Sequence, residues 1–108
     1  MSLSPGIARQ AFGDVAPKLA EITDDLLFSD VWCRDALGKR ERSIATVSAL
    51  IVLNRSEQLP FHLERALENG VSHSELAELV THLAFYGGWP VAASAVGALR
   101  NLPTHSEE

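Results

Sequence analysis

Residues 40–90 decide the fold, and they read RERSIATVSALIVLNRSEQLPFHLERALENGVSHSELAELVTHLAFYGGWP. His62 lies near the middle of this stretch, inside a run whose apolar spacing is that of a helix. Arginines cluster before His62, and a corner that contains Tyr86, two glycines, Trp89 and Pro90 follows it. No pair of cysteines lies near His62. This combination indicates a small all-helical enzyme with acid–base rather than redox chemistry.

The composition is that of one globular domain covering residues 1–108. With 46% apolar and 21% charged residues, a chain of this length can bury a core without disulfides or metals. The formal net charge of −5 argues against a nucleic-acid surface, which needs basic residues. The single cysteine, Cys33, excludes an internal disulfide or a cysteine-based metal cluster, and it fits a reducing, cytoplasmic setting.

Neither export nor membrane insertion is expected from this sequence. The first residues lack a basic start followed by an apolar core, which a secretory signal needs. The longest apolar run, residues 49–53, is far too short to span a bilayer.

The apolar spacing predicts six helices and no strand. Proline suits the first turn of the second, fourth and sixth helices, and Asp14 is placed to cap the second. Ser72 and Glu75 form a capping box for the fifth helix, and glycines follow the ends of the fourth and fifth. The predicted helices cover residues 4–13, 14–27, 39–53, 57–68, 72–87 and 89–102, with a less regular link at 28–38.

The third predicted helix is apolar nearly all round, which is typical of a helix buried on all sides. A chain of this size can hardly surround one helix, so we expect other subunits to cover part of it. Small residues on the sixth helix, such as Ala92, Ala95 and Gly97, would permit close packing between helices. The alternative is that the remaining five helices bury the third helix within one subunit.

His62 is the first candidate catalytic residue. It lies near the start of the fourth helix, where the positive end of the helix dipole disfavours imidazolium. It also lies at the margin of the apolar stripe formed by Leu59, Leu63 and Ala66, where a side chain can reach a cleft. A neutral histidine there could accept a proton. The alternative is a histidine hydrogen-bonded inside the core or at a subunit contact.

Five of the nine basic residues fall within a short segment of this acidic chain. Guanidinium groups bind carboxylates through two parallel hydrogen bonds, so the cluster predicts a small anionic ligand. The alternative is a set of ion pairs with acidic neighbours or with other subunits. The basic residues of the segment are Arg34, Lys39, Arg40, Arg42 and Arg55.

Glu78, His82 and Tyr86 are spaced four apart and therefore form one line along the fifth helix. Glu78 and His82 could bind a metal, but two ligands do not make a site, and none is predicted. His82 is expected to line a pocket or an interface. The corner at residues 86–90 is expected to bring Tyr86 and Trp89 together as an apolar pocket wall, the alternative being a packed turn.

The stretch resembles the carboxymuconolactone decarboxylase family, whose superfamily also contains the alkylhydroperoxidase AhpD. The similarity covers residues 28–100 and implies an all-α fold and homo-oligomers, commonly trimers or hexamers. The residues that carry the resemblance are Arg40, Arg42, Ser43, Thr46, Leu59, His62, Ala66, Leu67, Gly70, Val71, Ser72, Glu75, Glu78, His82, Ala84, Tyr86, Gly88, Trp89, Pro90, Ala92 and Ala93.

The peroxidase branch of the superfamily carries a Cys-x-x-Cys pair, with a histidine four residues after the second cysteine. If that histidine is His62, Arg55 and Gln58 stand where the two thiols would be. Peroxidase chemistry needs a thiolate and a resolving partner, so it is disfavoured. The acidic proton relay of that branch falls near Ser43, with Glu41 close by.

The decarboxylase branch fits better, and the resemblance implies its roles. Its named reaction, in the β-ketoadipate pathway of aromatic catabolism, converts 4-carboxymuconolactone to 3-oxoadipate enol-lactone without a cofactor. His62 would be the acid–base residue, Glu41 would orient it or relay the proton, and Arg40, Arg42 or Arg55 would bind the anion. His82, Tyr86 and Trp89 would contact the substrate. A cofactor-free enzyme with another carboxylate or lactone substrate, and a non-catalytic oligomeric binding protein, are the alternatives.

Overall fold

The computed structural model describes residues 6–103, and this part of the chain is all-α, as predicted. It divides into two compact units, one up to Lys39 and one from Arg40 onward. The first unit contains α1, α2, a π-helical turn and a 3₁₀ turn, and the second contains the longer helices. The elements are α1 (Ile7–Phe12), α2 (Pro17–Ile22), the π-helical turn Thr23–Phe28, the 3₁₀ turn Val31–Cys33, α3 (Lys39–Val52), α4 (Leu59–Glu68), α5 (His73–Gly87) and α6 (Trp89–Arg100).

The start of the chain departs from the sequence-based prediction in two ways. The first two positions of the predicted helix 4–13 lie outside the described residues, and α1 begins at Ile7. The second helix was predicted from Asp14, but α2 begins at Pro17 without a side-chain cap. Proline lacks an amide hydrogen, so it occupies the first helical position without needing a partner.

The first unit is held together by a buried carboxylate on the π-helical turn. Asp24 is almost fully buried, and its two oxygens accept the N–H groups of Ala8 at 2.8 Å and Arg9 at 3.0 Å. The Arg9 guanidinium adds a contact at 3.3 Å and also pairs with the exposed Asp25. The first amides of a helix have no partner within the helix, so Asp24 satisfies donors that α1 would otherwise bury unpaired.

The core of the second unit consists of buried apolar side chains from all four of its helices. α5 packs against α6 along most of its length, and α4 also contacts α6. Burying this set in one cluster removes its apolar surface from water, which is the main favourable contribution to folding. The cluster contains Val47, Ile51, Leu59, Leu63, Ala66, Val71, Leu76, Val80, Leu83, Ala84, Ala92, Ala95 and Leu102.

Left-handed residues end α3 and α4. Asn54 has φ 59° and Gly70 has φ 99°. After each, the next amide bonds back five residues: Arg55 N–H to the Leu50 carbonyl at 2.8 Å, and Val71 N–H to the Ala66 carbonyl at 2.9 Å. This is the Schellman arrangement. It confirms the predicted stop at Gly70. α4 begins at Leu59, later than the predicted start at residue 57.

Both ends of α5 match the prediction. The Ser72 hydroxyl accepts the Glu75 N–H at 3.1 Å, and Glu75 accepts the Ser72 N–H at 3.0 Å, so the capping box is confirmed. At the other end, Gly88 has φ 104° and ψ 154°, a conformation open almost only to glycine. Since α6 begins at the next residue, this one glycine makes the whole corner.

α3 is buried along one face rather than on all sides. Ser43, Val47 and Ile51 are buried, whereas Ala45 and Val52 are exposed, and Val52 keeps 38% of its surface. Part of α3 is therefore left exposed by the residues that the structure describes. Subunit association stays a prediction. Within residues 6–103, no helix is both long and apolar enough to cross a membrane.

Removing the Asp24 carboxylate tests what holds the first unit. We expect Asp24→Ala to lower the free energy of unfolding of this unit by about 2–4 kcal/mol, because it leaves two backbone amides and a guanidinium without their buried acceptor. Native-state hydrogen exchange of the amides in residues 7–28 measures this change. Asp25→Ala is the matched control and should have a much smaller effect, because Asp25 is exposed. Equal effects of the two variants would contradict the assignment.

Candidate active site

His62 is the fourth residue of α4, at the edge of the buried stripe. Leu59 and Leu63 are buried on either side, while His62 is half-buried. Its Nδ1 atom is shielded from solvent. Pro60 fits the first turn, where its missing amide hydrogen costs nothing. The histidine therefore has one side against the core and another towards the surface, the marginal position predicted from the sequence.

The surroundings of His62 keep its ring neutral. Burial lowers the pKa of His62 below its ordinary value of 6.5, and the positive charge of Arg65 lowers this pKa further. The direction agrees with the prediction, and burial is the larger of these two causes. The rings of Phe61 and His62 are nearly perpendicular, with centroids 5.0 Å apart, and the Arg65 guanidinium lies over the Phe61 ring, 5.1 Å from its centroid.

Arg40 is held by carboxylates of its own chain. Its guanidinium forms an ion pair with Glu75 and lies 3.7 Å from a carboxylate oxygen of Glu41. The other oxygen of Glu75 accepts the Ser72 amide, so Glu75 ties the start of α3 to the start of α5. The alternative of ion pairs with acidic neighbours therefore describes Arg40 in this structure.

A cleft of about 310 Å³ opens beside this ion pair. We call it the Arg40 cleft. It combines an apolar wall with ionisable groups from α3 and α5, and it brings together two predicted site residues, Arg40 and His82. His62 and Glu41 lie outside this lining. The lining residues are Arg40, Ile44, Val71, Glu75, Glu78, Leu79 and His82.

We predicted that the aromatic corner brings Tyr86 and Trp89 together, but in the structure each ring packs against a different residue. Tyr86 stacks on His82 with ring centroids 5.0 Å apart, and Trp89 contacts Phe85 edge-on at 5.1 Å. Helical spacing accounts for the first pair, since His82 and Tyr86 are four residues apart on α5, whereas Phe85 and Trp89 meet across the corner at Gly88. Trp89 lines a separate groove of about 380 Å³ between α5 and α6. His82 and Tyr86 keep the predicted line with Glu78 along α5.

The remaining candidates lie at other places on the second unit. Arg42 is half-buried on α3, and its carbonyl accepts the Thr46 hydroxyl at 2.8 Å. Arg55 and Gln58 are exposed in the loop between α3 and α4. Neither Arg42 nor Arg55 lines the Arg40 cleft.

Ser43, near the position of the acidic relay in the peroxidase branch, is fully buried. Its hydroxyl accepts an N–H of the Asn69 side chain at 2.9 Å, so it links α3 to the end of α4. Among residues 6–103, no three His, Cys, Asp or Glu side chains are grouped to hold a metal ion. Cys33 is exposed in the first unit, and its thiol donates to the Phe28 carbonyl at 3.6 Å.

Nothing in the sequence indicated that Glu75 is a residue of the site. The capping motif marked it as a helix cap, and a cap places its carboxylate at the first turn of α5. Its partner Arg40 lies 35 residues earlier. Nothing local to either residue indicates that pairing. The apolar wall formed by Ile44, Val71 and Leu79 was missed for the same reason.

The lowered pKa of His62 gives a test of its surroundings. We expect Arg65→Gln to raise this pKa towards 6.5 without reaching it, because burial remains. A pH titration followed by NMR of the imidazole protons measures the change, with Arg100→Gln as the control. Since the unfolded chain binds a proton that the folded chain refuses, wild-type stability should fall as the pH drops below about 6.5. An unchanged pKa in Arg65→Gln would contradict the role of Arg65.

Comparison with known proteins agrees with the resemblance noted in the sequence. The sequence pattern of the carboxymuconolactone decarboxylase family matches residues 17–101. Over 69 residues the chain is 36% identical to 4-carboxymuconolactone decarboxylase of Acinetobacter baylyi, covering 64% of this chain and 52% of that protein. Over 76 residues it is 32% identical to nitrosuccinic acid decarboxylase of Metarhizium robertsii, covering 70% and 53%.

The chain thus spans about half the length of the curated relatives it matches. The family match includes all four helices of the second unit, with His62 and the Arg40 cleft. The expected family is therefore confirmed, and the chain belongs to the carboxymuconolactone decarboxylase family.

Proposed function

We propose that this chain catalyses the cofactor-independent decarboxylation of a small carboxylic acid, with a reaction like that of 4-carboxymuconolactone decarboxylase. The observation that carries the proposal is His62, a half-buried histidine with a lowered pKa, in a chain that is similar to two proteins named as decarboxylases. A proton donor and acceptor near neutral pH is what this reaction requires of a side chain.

The chemistry needs little from the protein. As the bond to the carboxylate breaks, carbon dioxide leaves, and the unsaturated lactone accepts the electron pair. A proton must then reach the carbon that gained the electrons. A histidine with a lowered pKa releases a proton readily once it has taken one from solvent, so we assign this transfer to His62. Glu41 is the proposed relay or orienting group.

The substrate's anionic groups need cationic partners. We assign them to Arg40, Arg42 or Arg55, in that order, because guanidinium binds carboxylate with directed hydrogen bonds. Arg40 is supported by its place in a cleft with an apolar wall. His82 lines the same cleft, and we assign to it, with Tyr86 and Trp89, contacts to the body of the substrate.

A peroxidase reaction is a poorer fit. It needs two thiols near the histidine, and Arg55 and Gln58 occupy those positions in the sequence. A related cofactor-free decarboxylase with a different substrate is the second candidate, favoured by the relative that is named for nitrosuccinic acid. In both cases His62 has the same role, and the pocket decides the substrate.

We also propose that the chain acts as a homo-oligomer, a trimer or a hexamer. The support is the exposed aromatic surface at the end of α5 and the start of α6, where Phe85, Tyr86 and Trp89 keep 71%, 75% and 63% of their surface. Light scattering after size-exclusion chromatography measures the mass. We expect three or six chains, and a monomer at micromolar concentration would contradict the proposal.

Carbon dioxide release from 4-carboxymuconolactone and from nitrosuccinate tests the function. We expect release from one of the two, and a loss in kcat of about 100-fold or more for His62→Gln, which removes the proton transfer. His73→Gln is the matched control and should keep full activity, because His73 contacts the Pro103 carbonyl, away from the Arg40 cleft. A hydroperoxide assay runs in parallel.

The outcomes separate the parts of the proposal. Full activity of His62→Gln would overturn the role of His62 but would not contradict the proposed decarboxylation. Turnover of the hydroperoxide alone would overturn the reaction. If neither the wild type nor the control variant turned over either acid, the result would favour a binding protein.

A further inference from the structure

The Glu75 carboxylate is shared between a backbone amide and a guanidinium. One oxygen accepts the Ser72 N–H at 3.0 Å, and the other forms the ion pair with Arg40. The Ser72 amide holds the pKa of Glu75 below its usual range, and Arg40 lowers this pKa further. Glu75 therefore stays ionised at neutral pH, with one oxygen bound to its own helix and the other to a cation in a cleft.

The cleft beside this pair is built to take an apolar body. Ile44, Val71 and Leu79 form its apolar wall, and its volume of about 310 Å³ matches a small ring or short-chain acid. Glu78 and His82 also line it. A ligand there would meet apolar side chains along its body and hydrogen-bonding groups elsewhere. The one cationic group with directed donors in this lining is Arg40.

We infer that the Arg40 cleft binds a small carboxylate by exchange, in which the ligand's carboxylate takes the place of Glu75 at Arg40. Glu75 then keeps its bond to the Ser72 amide and acts as an internal competitor that sets the affinity. This inference rests on the proposed function, since it names the carboxylate contact of the proposed substrate.

The exchange is feasible because neither side loses all its partners. Glu75 remains the cap of α5, so the helix start survives the exchange. The ion pair that breaks is partly exposed, with 38% of the Arg40 side chain and 47% of the Glu75 side chain accessible, and water screens it. The displaced charge of Glu75 stays nearby, together with Glu78, and both repel the incoming anion. Glu75 therefore weakens carboxylate binding, and its neutralisation should strengthen it.

Benzoate is a suitable probe, because it has a flat apolar body and one carboxylate and cannot be turned over. We expect Glu75→Gln to bind benzoate about three- to tenfold more tightly than the wild type, measured by NMR titration. Glutamine can still accept the Ser72 amide, so the cap is retained. Arg40→Gln should weaken binding at least about tenfold. Glu68→Gln is the control with the same charge change, taken from the Arg65–Glu68 pair outside the cleft, and should stay within about twofold.

The wild type supplies a measurement that needs no variant to fold. On benzoate addition, the carboxyl carbon of Glu75 and the guanidinium nitrogens of Arg40 should shift together, while the Ser72 amide keeps its protection from exchange. Unchanged or weaker binding by Glu75→Gln, equal binding by Arg40→Gln and wild type, or no binding to any protein would each overturn the inference. Because no turnover is involved, this result is independent of the carbon dioxide assay: binding without decarboxylation would leave the exchange standing and remove the proposed reaction.

Discussion

The Arg40 cleft depends on a carboxylate that serves two helices. Glu75 caps α5 through the Ser72 amide and holds Arg40 at the start of α3. The first amides of a helix need acceptors, and a guanidinium beside an apolar wall needs a counter-charge; one side chain meets both needs. The Arg40 cleft lies where these two contacts meet, so its geometry follows from the requirements of helix capping. In our proposal, a structural contact of this kind also regulates access of a ligand to Arg40.

His62 has a different physical basis. Its position on α4 exposes one side of the ring and presses the other against the core, and burial then disfavours the charged form. Arg65, one turn later, adds to the effect and is itself paired with Glu68. His62 and the Arg40 cleft are thus separate features of the same unit, since His62 does not line the cleft. A mechanism that uses both requires the substrate to reach from one to the other, within one chain or across a subunit contact.

Much of the fold could be predicted because helix ends are local. The stop at Gly70, the capping box at Ser72 and Glu75, and the corner at Gly88 each depend on a few consecutive residues. The start of the chain was less predictable. Asp14 has the side chain of a cap but does not cap α2. The Asp24 carboxylate accepts the Ala8 amide of α1, 16 residues earlier, and no local pattern indicates this contact.

By itself, the sequence determined the helical class, most helix ends and the absence of the two thiols at Arg55 and Gln58. These follow from spacing, caps and residue type, which act over a few residues. Only the tertiary structure decided that Arg40 pairs with Glu75 and that His82 shares their cleft. Arg40 and Glu75 are 35 residues apart in the chain, and their pairing depends on how α3 and α5 pack, which no local pattern specifies.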